Sequence, residues 1–180
     1  MLARRQFVRI GGGLFLAGSP SPGPAAPMPA DAVEIGMRGD ADGSKVWFDP
    51  IGVLVRPGQT IRWTNLDPGN SHTTTAYHPR NFDHVRRIPA RIEPWNSDYL
   101  LPNESFAVTL MVEGVYDYFC VPHEHAGMVG RIIVGRLGGP DVQASAGVTS
   151  EAGAQPLPEP ARRAFPSVEE IMRRGVVRQT

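Results

Sequence analysis

Cysteine is nearly absent: Cys120 stands alone in 180 residues. An intramolecular disulfide framework is therefore excluded. So is any zinc site within one chain that needs two or more thiolates. Long hydrophobic runs are missing as well. The apolar and glycine run at residues 10–17 falls far short of the roughly 20 residues that span a bilayer. No sign of charge dominates, since 18 Lys and Arg balance 18 Asp and Glu. The balance gives no electrostatic reason to expect a nucleic-acid partner. With 20 glycines and 18 prolines the chain is turn-rich, which disfavours a helical bundle. The hydrophobic share, 41%, suffices for one domain with a sizeable core.

The two ends read differently from the middle. Residues 1–30 have a basic start at Arg4, Arg5 and Arg9, a short apolar run, and then small residues and prolines. That is the layout of an export signal. Arg4-Arg5 with Phe7 two places on resembles the twin-arginine signal, which implies passage of a folded protein to the periplasm or cell exterior. No cysteine stands directly behind the run to carry a lipid, so no stable membrane anchor is expected. Removing residues 1–30 leaves 15 basic against 18 acidic side chains. A lone thiol outside the cytoplasm is buried, reactive or bound to metal. At the other end, residues 138–180 read as a flexible tail: a linker rich in Gly, Ala, Pro and Ser, then one short helix. Ser167 and Glu170 have capping-box spacing. Val168, Ile171 and Met172 form an apolar face, and Gly175 ends the helix.

Between these ends, residues 31–137 carry the signals of an all-β domain. Short β-prone runs fall at 33–37, 45–48, 53–55, 60–65, 72–77, 115–120 and 129–134. Phe106, Val108 and Leu110 alternate in a further strand. Pro57-Gly58 and Asp67-Pro68-Gly69-Asn70 are turns. Such a succession predicts an antiparallel sandwich. Residues 78–102 read as a long loop with at most one irregular strand, and His78 and His84 as surface residues on it.

The chemistry concentrates in Cys120-Val-Pro-His123-Glu-His125-Ala-Gly-Met128. Three soft or borderline metal ligands fall at Cys-x2-His-x4-Met spacing between two predicted strands. His72 lies 48 residues upstream beside another strand. Two imidazoles, one thiolate and a weak axial thioether make the ligand set of a type 1 copper site. Mixed softness suits both copper oxidation states, as electron transfer requires. Zinc on Cys120, His123 and His72 or His125 is chemically open, and the methionine favours copper. A Cys–His hydrolase needs an oxyanion hole and an oriented base, and no residues mark either. Met128 alone would pass as core filler, and Cys120 alone as a buried thiol.

Beyond the ligands, several segments resemble the plastocyanin-like cupredoxins, including the pseudoazurin, amicyanin and halocyanin types. They are Val55-Arg-Pro-Gly-Gln-Thr-Ile-Arg-Trp-Thr-Asn65, Asn70-Ser-His72-Thr, Asn96 to Phe106, Gly114-Val-Tyr-Asp-Tyr-Phe-Cys120 and Met128 to Val134. The resemblance implies a Greek-key β-sandwich with copper near one end. It implies one type 1 copper per chain, held by His72, Cys120, His123 and Met128, with His123 reaching the surface to pass electrons. The implied function is an exported electron carrier, not an enzyme. It would be a monomer working between a protein redox donor and acceptor, such as a cytochrome or oxidoreductase. The alternative is a periplasmic copper carrier or storage protein using the same ligands. Two departures from the family pattern stand out. Thr73 follows the first histidine where many members have Asn, and His125 sits within the ligand loop, where it reads as solvent-facing. Arg80, Arg86, Arg87 and Arg91 form a candidate docking patch for an acidic partner, although Asp83 and Glu93 interrupt it.

Overall fold

The structure, a computed structural model, describes residues 32–135 and 155–179. The expected export signal and most of the expected linker lie outside them. Among the described residues, nine strands form two sheets. One sheet runs in the order β2 (Val46–Asp49), β1 (Val33–Gly39), β4 (Gln59–Asn65), β6 (Ser105–Leu110). The other runs β5 (Thr75–Ala76), β7 (Gly114–Phe119), β8 (Val129–Val134), β3 (Gly52–Val55), β9 (Val176–Val177). The expected sandwich is present, with one refinement to its pairing. β1 pairs parallel with β4, and β3 parallel with β8. Those partners are remote in sequence, so local turn signals could not reveal their direction.

Alternation explains the first sheet. Ile61 and Trp63 of β4 turn inward, while Arg62 and Thr64 face out. Trp63 is the centre of the core. Its ring meets Tyr118 edge-on at 5.3 Å and lies 5.7 Å from Trp95 and 6.5 Å from Phe106. Full burial of each such side chain contributes about 1.5–3 kcal/mol. β7 shows no alternation because both of its faces are covered. Tyr116, Tyr118 and the following Cys120 point into the sandwich. Val115 and Phe119 lie on the opposite face beneath the C-terminal segment.

That segment is more elaborate than a tail with one helix. It forms α1 (Glu159–Ala164) and α2 (Val168–Arg174), then adds β9 to the edge of β3. Two β residues are too few to register as a strand in sequence. Ile171 packs over Gly52, where a Cβ would stand 2.8 Å from the isoleucine side chain. Ser167 caps α2 as its spacing suggests, its Oγ accepting from the Glu170 amide at 3.0 Å. Glu170 does not complete the box; its carboxylate pairs with Arg174 at 2.8 Å. Gly175, at φ +74°, ends the helix.

Residues 78–102 are irregular, as expected, but they are not peripheral. Val85, Ile88, Trp95 and Leu100 are buried. His78 and His84 were expected at the surface and are also buried. His84 stacks edge-on against Phe119 and Tyr77 and bridges to Gln155 of the C-terminal segment. Nor do the arginines form one open patch. Arg87 pairs with buried Asp117 at 2.6 Å, and Arg80 with Glu93 at 2.6 Å.

Candidate metal centre

Hydrogen bonds between backbone groups bring three separate segments to one end of the sandwich. Cys120 follows the last residue of β7. The chain then makes a 3₁₀ helix, Val121–Ala126, and returns through Gly127 and Met128 to β8. The Cys120 amide donates to the Met128 carbonyl at 3.0 Å, and the Met128 amide to the His123 carbonyl at 3.1 Å. These bonds close the loop. His72 arrives from the turn after β4, exchanging two backbone hydrogen bonds with Leu100 at 3.1 and 2.8 Å. Buried Asn65 ties this turn together, its amide nitrogen donating to the carbonyls of Asn70 and Leu100.

The result is a compact cluster of His72, Cys120 and His123, whose ligand atoms all lie within 4.8 Å of one another. The two imidazole Nδ1 atoms are 3.1 Å apart. Cys120 Sγ is 3.6 Å from Nδ1 of His72 and 3.5 Å from Nδ1 of His123. Typical bond lengths of about 2.0 Å to nitrogen and 2.3 Å to sulfur let one ion reach all three together. Met128 is fully buried and shares a core cluster with Cys120. His125 is exposed and stands outside the group, as its loop position suggested.

Burial governs the protonation of these groups. It pushes the Cys120 thiol up to about 11, although the Thr73 amide donates to Sγ at 3.3 Å and favours the thiolate. The sulfur must therefore lose its proton when a metal binds. Burial lowers the pKa of His72 against the opposing pull of Asp67. Burial and the neighbouring His72 lower that of His123. Both rings accordingly offer neutral lone pairs. Asp67 Oδ2 lies 3.0 Å from His72 Nε2. Burial alone would raise the carboxyl pKa, but donors on Asn70, the Gly69 amide and His72 outweigh it and bring it to about 2. An anionic Asp67 accepts from Nε2 and leaves Nδ1 as the free lone pair.

Thr73, which stands where many family members have Asn, touches both ligand segments. Besides its amide contact with Sγ, its hydroxyl accepts from the Val121 amide at 2.9 Å, linking the two ligand segments. Asp67 read in sequence only as a turn residue, and Glu124 received no role. Glu124 is buried, its carboxylate accepting from the Tyr77 hydroxyl at 2.6 Å. The five-residue spacing of Asp67 and His72 was the available signal for the first. Glu124, lying between two histidines of a polar loop, offered none.

Comparison with known proteins agrees with this geometry. The model of the copper binding proteins of the plastocyanin/azurin family matches residues 35–135. The chain belongs to that family. It is 36% identical over 98 residues to a chloroplastic plastocyanin of Tetradesmus obliquus, a match covering 52% of this chain and 62% of that one. It is 30% identical over 110 residues to a pseudoazurin of Methylorubrum extorquens, covering 61% and 66%. The chain thus spans about three fifths of the length of the chloroplastic plastocyanins it matches. Among solved structures, the pseudoazurin from Sinorhizobium meliltoi aligns with a TM-score of 0.54 at 26% identity, covering 78% of this chain and 93% of that one.

Proposed function

We propose that this protein is an electron carrier built on one type 1 copper. Its ligands are Nδ1 of His72, Sγ of Cys120, Nδ1 of His123 and the thioether of Met128. The observation that carries the reading is the buried cluster of one thiol and two imidazole nitrogens at 3.1–3.6 Å. Bound copper supplies a one-electron couple between Cu(I) and Cu(II), the two states that such mixed donors suit.

The residues of the chain do the rest. Cys120 would give up its proton and offer the strong thiolate donor, and Met128, on the same closed loop, would offer a weak thioether donor. Asp67 holds the His72 ring in one orientation. Thr73 spans the two ligand segments and donates its amide to sulfur. Because backbone hydrogen bonds hold the ligand segments, little rearrangement would accompany a change of charge on a bound ion, and the barrier to electron transfer would be low. His123 is only half-buried and provides the way to the surface, where a protein donor and acceptor would dock in turn. The Arg4-Arg5 segment supports export to the periplasm or cell exterior. No helix among the described residues is long and apolar enough to cross a membrane.

Cyclic voltammetry of the copper-loaded protein, followed by challenge with a Cu(I) chelator, tests the carrier function. The reading expects a reversible one-electron wave through many cycles with copper retained. Loss of copper to the chelator on each reduction would instead define a carrier of copper.

A further inference from the structure

The ligand loop between Cys120 and Met128 is closed by backbone hydrogen bonds at its ends, and its middle is the 3₁₀ helix Val121–Ala126. A 3₁₀ helix of six residues is long for its kind, because its hydrogen-bond geometry is poor. No side chain caps its start. Of residues 121–126, only Glu124 is buried; Val121 and His123 are half-buried, and Pro122, His125 and Ala126 are exposed. Val121 packs at the edge of the cluster of Tyr77, Phe119, Val129 and Ala161, and the one buried side chain of the helix is Glu124, the neighbour of His123.

The anchor is well made. One carboxylate oxygen of Glu124 accepts from the Tyr77 hydroxyl at 2.6 Å, and the other lies 3.4 Å from Nε2 of His84. Tyr77 and His84 are themselves buried, and both pack on Phe119, which precedes Cys120. Burial and the facing carboxylate raise the pKa of Tyr77 strongly, so the phenol remains a neutral donor. The C-terminal segment closes the group from outside. Ala161 of α1 shares a packed cluster with Tyr77 and Phe119. The backbone of Pro160 sits so near Gly127 that a Cβ there would lie 3.3 Å from its carbonyl oxygen.

We propose that Glu124 is a positioning residue: gripped by Tyr77 and His84 under the C-terminal segment, it fixes the loop carrying His123 before metal binds. A buried carboxylate is costly without partners; here one oxygen takes the short hydrogen bond from Tyr77, and the other faces Nε2 of His84 at 3.4 Å. The inference rests on the reading of His123 as a copper ligand, so its test begins in the metal-free protein.

Amide hydrogen exchange is measured on the full metal-free chain and on Glu124→Ala, Glu124→Gln and Tyr77→Phe. Loss of a hydrogen bond to a charged group predicts exchange at residues 123, 127 and 128 faster by on the order of tenfold in Glu124→Ala. Amides of β4 should keep their wild-type rates. Tyr77→Phe, which retains the ring contacts, should show the same local effect. Glu124→Gln, which still accepts from Tyr77, should restore most of the protection. Copper-loaded Glu124→Ala should then have a shifted thiolate-to-copper band, with Glu124→Gln close to wild type. Unchanged loop exchange in both Glu124→Ala and Tyr77→Phe overturns the proposal. So does equal acceleration throughout the sandwich, which would make Glu124 a general stability residue. If Glu124→Ala does not fold, Tyr77→Phe and Glu124→Gln decide by the same criterion. A wild-type protein without a blue band would sink the copper reading instead, leaving the exchange result to judge the loop anchor.

Discussion

The two outer faces of the sandwich differ sharply. On the sheet of β2, β1, β4 and β6 the outward side chains meet water. Thr64 and Ser105 share a hydrogen bond at 2.9 Å, and Arg62 pairs with Glu34. On the sheet of β5, β7, β8, β3 and β9 the outward side chains are sealed beneath the C-terminal segment. There Asp117 takes both Arg87 and Arg131, at 2.6 and 2.7 Å, while Arg131 also donates to the Pro166 carbonyl at 2.8 Å. Both guanidinium groups lie over the Phe165 ring, 5.2 and 5.0 Å from its centroid. The sealed sheet is the one from which Cys120 emerges and to which Met128 leads. The strand that presents the thiol is thus held on both faces, which suits a site whose donors must stay in place while its charge changes.

Breaking the sealed face should cost far more than disturbing the open one. The largest effect is expected for Asp117→Ala, which leaves two mostly buried guanidinium groups without their counter-charge. A loss of about 3–5 kcal/mol, read by urea unfolding, is predicted. Ile171→Ala comes next. It empties the contact over Gly52 and should cost about 2–4 kcal/mol, with the midpoint shifted and the slope of unfolding kept. Between the faces, at the ligand end, Asp67→Asn frees the His72 ring. Competition with a chelator should show copper affinity lower by roughly 10–100-fold, and the metal-free fold should also lose some stability, because the charge that Asn70, Gly69 and His72 favour in the native state is removed. The smallest effect belongs to the open face. Thr64→Ala should move stability by about 0.5 kcal/mol or less. If Thr64→Ala matched Ile171→Ala, the contrast between the faces would be lost.

The same contrast explains what could be read from the sequence. β4 and β6 alternate because one side is wet, so Ile61, Trp63, Phe106 and Val108 mark their own strands. The run through β7 is continuous because it is covered twice, and it still reads as a strand from its aromatic and β-branched residues. Ligand spacing made Cys120, His123 and Met128 visible as candidates, and the resemblance of Asn70-Ser-His72-Thr to the family's first-ligand segment added the fourth. What covers β7 was not visible. The arginine- and proline-rich loop that buries His84 has no periodicity. β9 spans two residues, and the Arg87–Asp117–Arg131 group unites positions remote in sequence. Asp67 and Glu124 escaped for a related reason. Carboxylates in polar turns usually face water, and only the folded packing of Asn65, Tyr77 and His84 takes these two inside. Parallel pairing of β1 with β4 is likewise a property of long-range assembly.

The most direct test of the central claim is the visible and electron paramagnetic resonance spectrum of the protein loaded with one equivalent of Cu(II), beside the same spectra of Cys120→Ser. The account predicts an intense blue thiolate-to-copper band with a narrow hyperfine splitting, both lost in Cys120→Ser. A pale spectrum with a wide splitting in the wild type, or a blue band that survives Cys120→Ser, would contradict it.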